Sequence, residues 1–368
     1  MIMKDTFWRN EVYTISLCMI VKNEEDVLGN CLSSVGNLVD EIIIVDTGST
    51  DKTKEIAKKF KAKIYDFKWI NDFAAARNYS FSKATSDYIL WLDADDVLLE
   101  EDIKKFKNLK RSIDKKIDAY SMFYNYAFDD KGNVILRFRR NRMVKRKRKY
   151  KWHGFVHEYI DVKGKVSNTD ICITHKRVHN AGPRNINIYK QKIKEGYKLN
   201  PREIYYYGKE LFDNKMYEEG IKVFNKYLED NKGWKEDNIV ACKKIADYYF
   251  DIKKYNEGRK YCFKTFEYDL PRGEACCRLG LSYLNQNEIE KAVFWYELAT
   301  KLEKPSIDWG FINENTYTWL PHLQLCVCYY KLGDTDKSYE HNRIASRYNS
   351  NNESIKYNEK FFRELGYK

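Results

Sequence analysis

The chain has 368 residues, a hydrophobic content of 43% and a formal net charge of +12. Its length suits two domains rather than one, and its hydrophobic content is sufficient for real cores. No apolar run approaches the roughly 20 residues of a membrane span. The run from Ile15 to Val21 has only strand length and is interrupted by polar residues, so we expect neither a transmembrane helix nor a signal peptide.

The cysteines and the charges further limit the class of protein and its partners. The nine cysteines are scattered and form no C-x-x-C pair, so we expect reduced core thiols in a cytoplasmic protein. The segment from Arg137 to Lys151 holds ten basic residues and no acidic one, which leaves the rest nearly balanced at 56 basic against 54 acidic residues. Aromatic residues interrupt this basic run, so part of it is predicted to be a hairpin. Its candidate partners are nucleic acid, a phosphate-bearing donor, an anionic acceptor and a membrane surface.

Strand and helix patterns alternate along the first hundred residues. Apolar runs predict strands at 12–21, 41–46, 63–65 and 88–92. Helical spacing of apolar and small residues predicts helices between them, around 27–35, 56–60 and 73–84. This β-α-β-α-β-α-β order predicts a parallel sheet with right-handed crossovers. The layout is typical of nucleotide-binding domains, although the Gly-rich dinucleotide fingerprint and the P-loop are both absent from the sequence.

Three carboxylates, Asp93, Asp95 and Asp96, follow the last of these strands directly. Ligands bind at the carboxyl ends of the strands in open α/β sheets. Clustered carboxylates repel one another unless a cation or hydrogen-bond donors neutralise them, and Mg²⁺ or Mn²⁺ suits such hard oxygen ligands. The D-x-D spacing therefore favours a metal site, and a solvated turn that caps the next helix is the alternative.

Beyond the first hundred residues the predicted secondary structure changes twice. From about residue 119 the pattern is β-rich and irregular as far as Thr174, and after Gly182-Pro183 it is helical throughout. Small and aromatic residues recur there at offsets of 0, 3, 12, 16 and 19, and the four sets start at Gly208, Ala246, Gly280 and Cys326. The starts are 38, 34 and 46 residues apart, so the last repeat follows an insertion around 304–316.

These sets resemble the tetratricopeptide repeat, in which small residues let paired helices pack closely. Repeats of this kind stack into a curved surface that suits peptide binding or dimerisation.

The first 180 residues resemble a family-2-type glycosyltransferase with the GT-A fold. The matching stretches are LCMIVKNEED (17–26), EIIIVDTGSTDKT (41–53), FAAARNYS (73–80), YILWLDADD (88–96), RFRRN (137–141) and KWHGFVHEYI (151–160). With the repeats included, the architecture is similar to that of bacteriocin peptide S-glycosyltransferases of the sublancin type. The expected fold is an α/β GT-A domain, Rossmann-like and nucleotide-sugar-binding, at 1–180. A helical linker at 181–200 and an all-α repeat domain at 201–368 follow.

The resemblance implies a metal-dependent, inverting transfer of a sugar from a nucleotide diphosphate, commonly UDP, with Mn²⁺ or Mg²⁺ as cofactor. The diphosphate leaves with growing negative charge, which a divalent ion offsets. On this interpretation Asp95 is the best metal ligand, Asp93 contacts the ribose or helps to hold the ion, and Asp96 caps the following helix. GT-A enzymes often supply a late histidine to the metal, so His175 is the third candidate ligand and His179 is its weaker rival. A surface histidine is the alternative for both.

The resemblance also implies nucleotide-binding roles for residues at the other strand ends. Asp46 is expected to accept a hydrogen bond from the base, uracil, and Glu24 to bind the ribose or the base. Val21 and Ala94 are expected to line the same nucleotide-sugar site. Arg77 has two interpretations: it faces the diphosphate or orients Asp93, or it forms a buried salt bridge that holds its helix.

An inverting transferase needs a base near its acceptor, and Glu158 and His157 are the candidate catalytic residues. The composition around them predicts a strand, in which neighbours point to opposite faces, so only one is expected to face the site. A histidine packed near the core is the alternative. His153 and His157 would share a face only on a helix, which weakens their interpretation as a zinc-binding pair.

The leading hypothesis is a cytoplasmic inverting glycosyltransferase that modifies a peptide or protein acceptor at Cys or Ser, with repeats that bind the acceptor or form a homodimer. One alternative is a transferase for cell-surface polysaccharide or lipid-linked sugar, held peripherally at the membrane by the basic run. Another is a non-catalytic repeat scaffold with a nucleotide-sugar-sensing domain, against which the intact D-A-D triplet argues. Nucleic-acid binding is disfavoured because the basic run also matches a transferase motif.

Overall fold

The computed structural model describes residues 13–128, 132, 134–176, 182–305 and 312–367. The chain divides into two compact units, Met1–Lys192 and Ile193–Lys368, and the boundary lies inside the predicted linker. None of the helices described is long and apolar enough to cross a membrane.

The first unit is built on a mixed sheet of eight strands. Its spatial order is β3-β2-β1-β4-β7-β6-β10-β5. The strands of this sheet are β1 (Ile15–Val21), β2 (Glu41–Asp46), β3 (Lys63–Asp66), β4 (Tyr88–Trp91), β5 (Asp96–Val97), β6 (Ala119–Phe128), β7 (Val134–Lys145) and β10 (Val166–His175). A separate two-stranded ribbon pairs β8 (Trp152–His153) with β9 (Tyr159–Ile160).

The first four strands are parallel, as the alternating pattern predicts. β1 pairs with β2 and with β4, and β2 pairs with β3, all in parallel register. The carboxyl ends of β1, β2 and β4 therefore lie along one edge of the sheet. β7 then runs antiparallel to both β4 and β6, so the basic run supplies one strand of an antiparallel pair whose other strand, β6, precedes the run.

Helices cover this sheet because their apolar residues repeat at helical spacing. They are α1 (Leu28–Val35), α2 (Thr53–Lys59), α3 (Phe73–Lys83) and α4 (Glu100–Arg111). Leu28, Leu32 and Val35 of α1 are fully buried and join the main core with Leu17 of β1. The carboxylate of Asp72 caps α3 by accepting a hydrogen bond from the amide of Ala75 at 2.8 Å. A further helix, α5 (Arg184–Lys194), lies within the predicted linker.

The second unit consists of antiparallel helix pairs. The helices are α6 (Pro201–Asp213), α7 (Tyr217–Asp230), α8 (Lys235–Asp251), α9 (Tyr255–Lys264), α10 (Gly273–Leu284), α11 (Ile289–Lys301), α12 (Trp319–Lys331), α13 (Thr335–Asn349) and α14 (Glu353–Glu364). α6 to α13 form four successive pairs in the described part of this unit, and each pair contains one of the predicted repeats. The predicted fold class, an α/β domain followed by helical repeats, is confirmed.

Glycines at the recurring small positions explain why these helices approach so closely. A Cβ atom at Gly208 would lie 2.5 Å from the ring of Phe224, and one at Gly280 would lie 2.8 Å from the ring of Tyr296. Each glycine therefore accepts an aromatic ring from the partner helix of its own pair. The nine cysteines are all free thiols, and eight of them are buried, as the sequence predicts.

Candidate active site

Loops at the carboxyl ends of β1, β2 and β4 surround a cleft of about 320 Å³. The start of α5 and the segment between β8 and β9 close its other sides. Eight of the residues predicted for the site line this cleft, namely Val21, Glu24, Arg77, Asp93, Ala94, Asp95, His157 and Glu158. The topology of the sheet thus brings together residues that are up to 137 positions apart in the chain.

Asp46 lies at the end of β2 next to the cleft-lining residue Thr47 and is itself buried. Its Oδ1 accepts hydrogen bonds from the amides of Gly48 and Ser49 at 2.8 and 2.9 Å. Its Oδ2 is buried and has no hydrogen-bond partner among the described residues. A buried carboxylate oxygen without a partner is costly, so the hydrogen-bonding capacity of this atom is unused, although Asp46 itself does not line the cleft.

Arg77 links the two sides of the cleft. Its Nη2 donates to Oδ1 of Asp93 at 2.6 Å, and its Nε donates to Oε1 of Glu158 at 2.6 Å. The guanidinium also lies over the rings of Trp91 and Trp152, at 5.0 and 4.9 Å from their centroids. Arg77 therefore holds the loop after β4 against the segment that carries Glu158, and its charge is shared between two carboxylates.

The prediction that Asp96 caps the following helix is wrong. Leu99 occupies the N-cap of α4, while Asp96 is completely buried and forms an ion pair with the equally buried Arg142 at 2.9 Å. Its Oδ2 also accepts a hydrogen bond from the amide of Asp93 at 3.0 Å. The reason is topological: Asp96 belongs to the short strand β5, which pairs with β10 and faces the interior.

Asp95, Asp96 and His175 form the group of metal-capable side chains found among the described residues. One ligand atom from each lies within 4.8 Å of the others. Asp93 is not part of this group, because its carboxylate points to Arg77. This group differs from the predicted metal ligands Asp93, Asp95 and His175 in one residue. It contains Asp96 and does not contain Asp93.

This donor set fits a divalent cation. Two carboxylates and one imidazole are a normal ligand combination for Mn²⁺ and leave coordination positions for a substrate. Oδ1 of Asp96 is buried without a hydrogen-bond partner among the described residues, so it is an acceptor that a cation would satisfy. His179, the rival of His175, lies outside the described residues.

The surroundings of His175 fix its ring and its charge. Its Nδ1 lies 3.0 Å from the hydroxyl of Tyr124, and the ring of Tyr126 stacks on it at 5.3 Å. Burial by itself would lower the pKa of His175, but the carboxylates of Asp95 and Asp96, at 3.4 and 3.7 Å from its Nδ1, outweigh burial and raise the pKa to about 9. A bound cation would displace this proton, because only the neutral imidazole is a ligand.

The pKa values of two acids in the cleft are shifted in opposite directions. Burial, together with the charges of Asp95 and Asp93, raises the pKa of Glu24 to about 7. Burial alone would also raise the pKa of Asp93, but Arg77, Arg142 and Arg140 outweigh it and lower the pKa well below its usual range. Glu24 can therefore donate or accept a hydrogen bond near neutral pH, whereas Asp93 stays ionised.

The segment around Glu158 is not the strand that the sequence predicts. β8 ends at His153 and β9 begins at Tyr159, and a bend lies between them in which His157 has φ of +53°. Because of this bend His157 and Glu158 both line the cleft, so the expectation that only one of them faces it is wrong. His153 is exposed, and its ring lies 5.6 Å from that of Tyr159 at a tilted angle.

Nine further residues line the cleft and were not predicted, and three of them bear on ligand binding. Arg140 lines it from β7, and Arg184 and Asn185 line it from the first turn of α5. The match of 137–141 to a transferase motif was a signal for Arg140. The sequence of α5 carries no comparable signal. Its residues reach the cleft only because the helix packs against the rest of the first unit, through a contact between the rings of Tyr189 and Phe155.

Comparisons with known proteins agree with this architecture. Residues 16–163 match the model of glycosyl transferase family 2, and residues 273–305 match a tetratricopeptide repeat. A TPR repeat-containing protein of Synechococcus elongatus is 51% identical over 87 residues, which is 24% of this chain and 22% of the relative. The SPbeta prophage-derived glycosyltransferase SunS of Bacillus subtilis is 29% identical over 274 residues, which is 67% of this chain and 63% of the relative.

The chain thus spans less than two thirds of each of these curated relatives. Among solved structures, glucosyl-3-phosphoglycerate synthase from Mycobacterium tuberculosis has a TM-score of 0.27 and 22% identity, covering 30% of this chain and 44% of that chain. That likeness is too weak to support a function.

Proposed function

We infer that this chain, which carries a glycosyltransferase family 2 domain joined to tetratricopeptide repeats, moves a sugar from a UDP-sugar to a peptide or protein acceptor. We propose that the transfer is metal-dependent and inverts the anomeric centre. The observation that carries the proposal is the Asp95–Asp96–His175 group, which adjoins the cleft through Asp95. A cleft of this size at the strand ends, with a cation-competent group at its margin, suits a nucleotide diphosphate.

The donor would be held by the strand-end residues. The free Oδ2 of Asp46 is an acceptor for the imide N–H of uracil, and Glu24 is placed to hydrogen-bond the base or the ribose. Arg140 forms no ion pair among the described residues, and it lines the cleft within range of the charge on Asp93. We assign the diphosphate to Arg140, because Arg77 already divides its charge between two carboxylates.

Asp95, Asp96 and His175 are the residues that would hold Mn²⁺ or Mg²⁺. When bound, the cation supplies positive charge that offsets the charge developing on the departing diphosphate. The ion pair between Arg142 and Asp96 fixes one of these carboxylates before any ligand arrives. Such preorganisation is favourable because the group does not reorient during the reaction.

Glu158 is our candidate for the base that takes the proton of the acceptor, and His157 is the second candidate. Arg77 engages Oε1 of Glu158, and Oε2 makes no hydrogen bond to the described residues. The positioning role of Arg77 follows directly: one guanidinium sets the distance between the donor side, at Asp93, and the acceptor side, at Glu158. Whether the acceptor atom is sulfur or oxygen decides how much this base contributes, because a thiol ionises near neutral pH.

The repeat unit offers a separate cleft for the acceptor. It has a volume of about 310 Å³ and lies between α8 and α10, with largely apolar walls and a rim of charged side chains. The carboxylates on this rim are engaged: Glu236 pairs with Arg272 at 2.7 Å and Asp247 pairs with Arg278. Lys243 forms no ion pair among the described residues, so this cleft is suited to a peptide that carries an acidic side chain beside an apolar one.

The test is a panel of UDP-sugars, each incubated with Mn²⁺ or Mg²⁺ and scored for UDP release. We expect one UDP-sugar to be turned over, and Arg140→Gln to lower kcat/KM about 10- to 100-fold, the loss expected for charge-assisted hydrogen bonds to phosphate. Arg137→Gln is the matched control, because Arg137 lies on the same strand but is exposed and stacks on Phe123. Equal activity of the two variants, or no turnover of any UDP-sugar, would contradict the proposal.

A further inference from the structure

Most of the basic run does not contribute to the cleft. The run from Lys145 to Lys151 comes together with two other loops, 114–118 and 161–165, and we call these three segments the lysine edge. They contain ten basic and three acidic residues. This density of positive charge lies on one surface of the first unit, and none of these residues lines the cleft.

The buried carboxylate of Asp118 ties the three segments together. It accepts hydrogen bonds from Nε and Nη2 of Arg148, at 2.6 and 2.9 Å, and from the amide of Lys165 at 3.0 Å. Its backbone carbonyl accepts a hydrogen bond from the amide of Lys145 at 2.9 Å. Gly164 permits this close approach, because a Cβ atom there would lie 2.3 Å from Oδ2 of Asp118. The lysine edge is therefore a fixed feature of the fold.

The lysine edge lies at the end of the sheet opposite the cleft. Lys145 pairs with Tyr88, the first residue of β4, whereas the acidic group follows the last residue of that strand. The loop 114–118 precedes β6, and the loop 161–165 precedes β10, which is parallel to β6. At about 3.3 Å per residue the two ends of β4 and its loop are roughly 15 Å apart, so the lysine edge and the cleft are separate surfaces at opposite ends of the strands.

The lysines of this edge are available for a partner. Seven of them are exposed, namely Lys115, Lys116, Lys147, Lys149, Lys151, Lys163 and Lys165. Lys147, Lys149 and Lys151 form no ion pair with the described residues. The arginines are engaged within the protein, since Arg148 pairs with Asp118 and Arg146 donates to the carbonyl of Ser86.

The chemistry of the edge favours one class of partner. Arginine recognises individual phosphates through paired hydrogen bonds, whereas lysine is a hydrated point charge suited to diffuse attraction. Single-stranded nucleic acid needs exposed aromatic rings for base stacking, but Trp152 is buried and the hydroxyl of Tyr150 donates to the carbonyl of Lys163. Exposed lysine clusters of four to eight residues are typical of proteins that bind anionic lipid surfaces.

We propose that the lysine edge docks this protein on an anionic membrane surface through lysine charges alone. Docking in this way turns the cleft, at the opposite end of the sheet, away from the lipid. The acceptor then reaches the cleft from the aqueous side, as a peptide or protein would. The proposal stands on the charge distribution and does not depend on the transfer reaction.

Vesicle co-sedimentation tests the proposal with the full chain. Vesicles of phosphatidylcholine with phosphatidylserine are compared with vesicles of phosphatidylcholine alone, at low and at physiological salt. We expect binding only to the anionic vesicles, weakened by salt. The triple variant Lys147→Gln, Lys149→Gln, Lys151→Gln should bind about 100-fold more weakly, since each lysine near an anionic surface contributes about fivefold.

The control removes the same charge elsewhere on the first unit. The triple variant Lys58→Gln, Lys59→Gln, Lys61→Gln changes three exposed lysines, and Lys61 has a positive φ as Lys149 does. This control should retain most of the binding, and circular dichroism checks that both variants fold. Equal losses in the two variants, no binding to the anionic vesicles, or tighter binding to duplex DNA than to those vesicles would overturn the proposal.

Discussion

Arg142 offers the sharpest test of how the acidic loop is held. Replacing it by methionine keeps most of the volume of the side chain but leaves Asp96 as a buried carboxylate without its ion-pair partner. Both side chains are completely buried, and removing one partner of a buried pair costs about 3–5 kcal/mol. Nε and Nη2 of Arg142 have no hydrogen-bond partner among the described residues, so deleting them returns about 1–3 kcal/mol. We therefore expect Arg142→Met to lower the free energy of unfolding by about 2 kcal/mol.

The assay is urea unfolding followed by tryptophan fluorescence, because Arg142 stacks on Trp91 at 4.1 Å. Arg137→Met on the same strand is the matched control, and it removes only an exposed stack worth about 0.5–1 kcal/mol. The double variant Arg142→Met, Asp96→Asn removes the stranded charge and should be at least as stable as Arg142→Met. Equal losses for Arg142→Met and Arg137→Met, or simple additivity in the double variant, would refute the reasoning.

Two further predictions concern the repeats and the packing of helices. Burial and the neighbouring His341 lower the pKa of His322 to about 4, so the unfolded chain binds this proton more tightly than the folded protein. The stability that depends on a neutral His322 is therefore complete above about pH 6.5 and is lost as the pH falls towards 4. The variant His322→Gln should flatten the fall in Tm between pH 7 and 5. A slope of Tm against pH equal to that of the native protein would contradict this. Gly208→Ala should destabilise the protein by about 1–3 kcal/mol because its Cβ meets the ring of Phe224. Gly29→Ala should be neutral or stabilising, because a Cβ there would make only an ordinary van der Waals contact with Ile56 at 3.8 Å. Similar unfolding midpoints for the two variants would count against the packing explanation.

The parallel half of the sheet could be predicted because apolar runs and turn residues alternate without ambiguity there. The placement of Asp93 and Asp95 followed from the same pattern, since residues directly after a buried strand must lie at its carboxyl end. The four repeats were predictable because small and aromatic residues recur in register. These features depend on local spacing, which a single sequence displays.

The remaining features depend on partners that are distant in the chain. Asp96 and Arg142 are 46 positions apart, and nothing local distinguishes a buried aspartate from a helix cap. The bend at His157 requires a positive φ at a non-glycine residue, which its apolar neighbours do not indicate. Arg184 becomes a cleft residue only through the packing of α5. Tertiary contacts decide each of these cases.

The central claim is that Asp95 and its neighbours bind a nucleotide diphosphate together with a divalent cation. Isothermal titration calorimetry of the full chain with UDP, in Mn²⁺ and then in EDTA, tests it most directly. The variant Asp95→Asn is compared with Asp66→Asn, which changes an exposed acid at the end of β3, the outermost parallel strand of the same sheet. We predict that UDP binding depends on Mn²⁺, is lost in Asp95→Asn and persists in Asp66→Asn. Mn²⁺-dependent binding of UDP that survives Asp95→Asn, or no binding of UDP to the native chain, would contradict the claim.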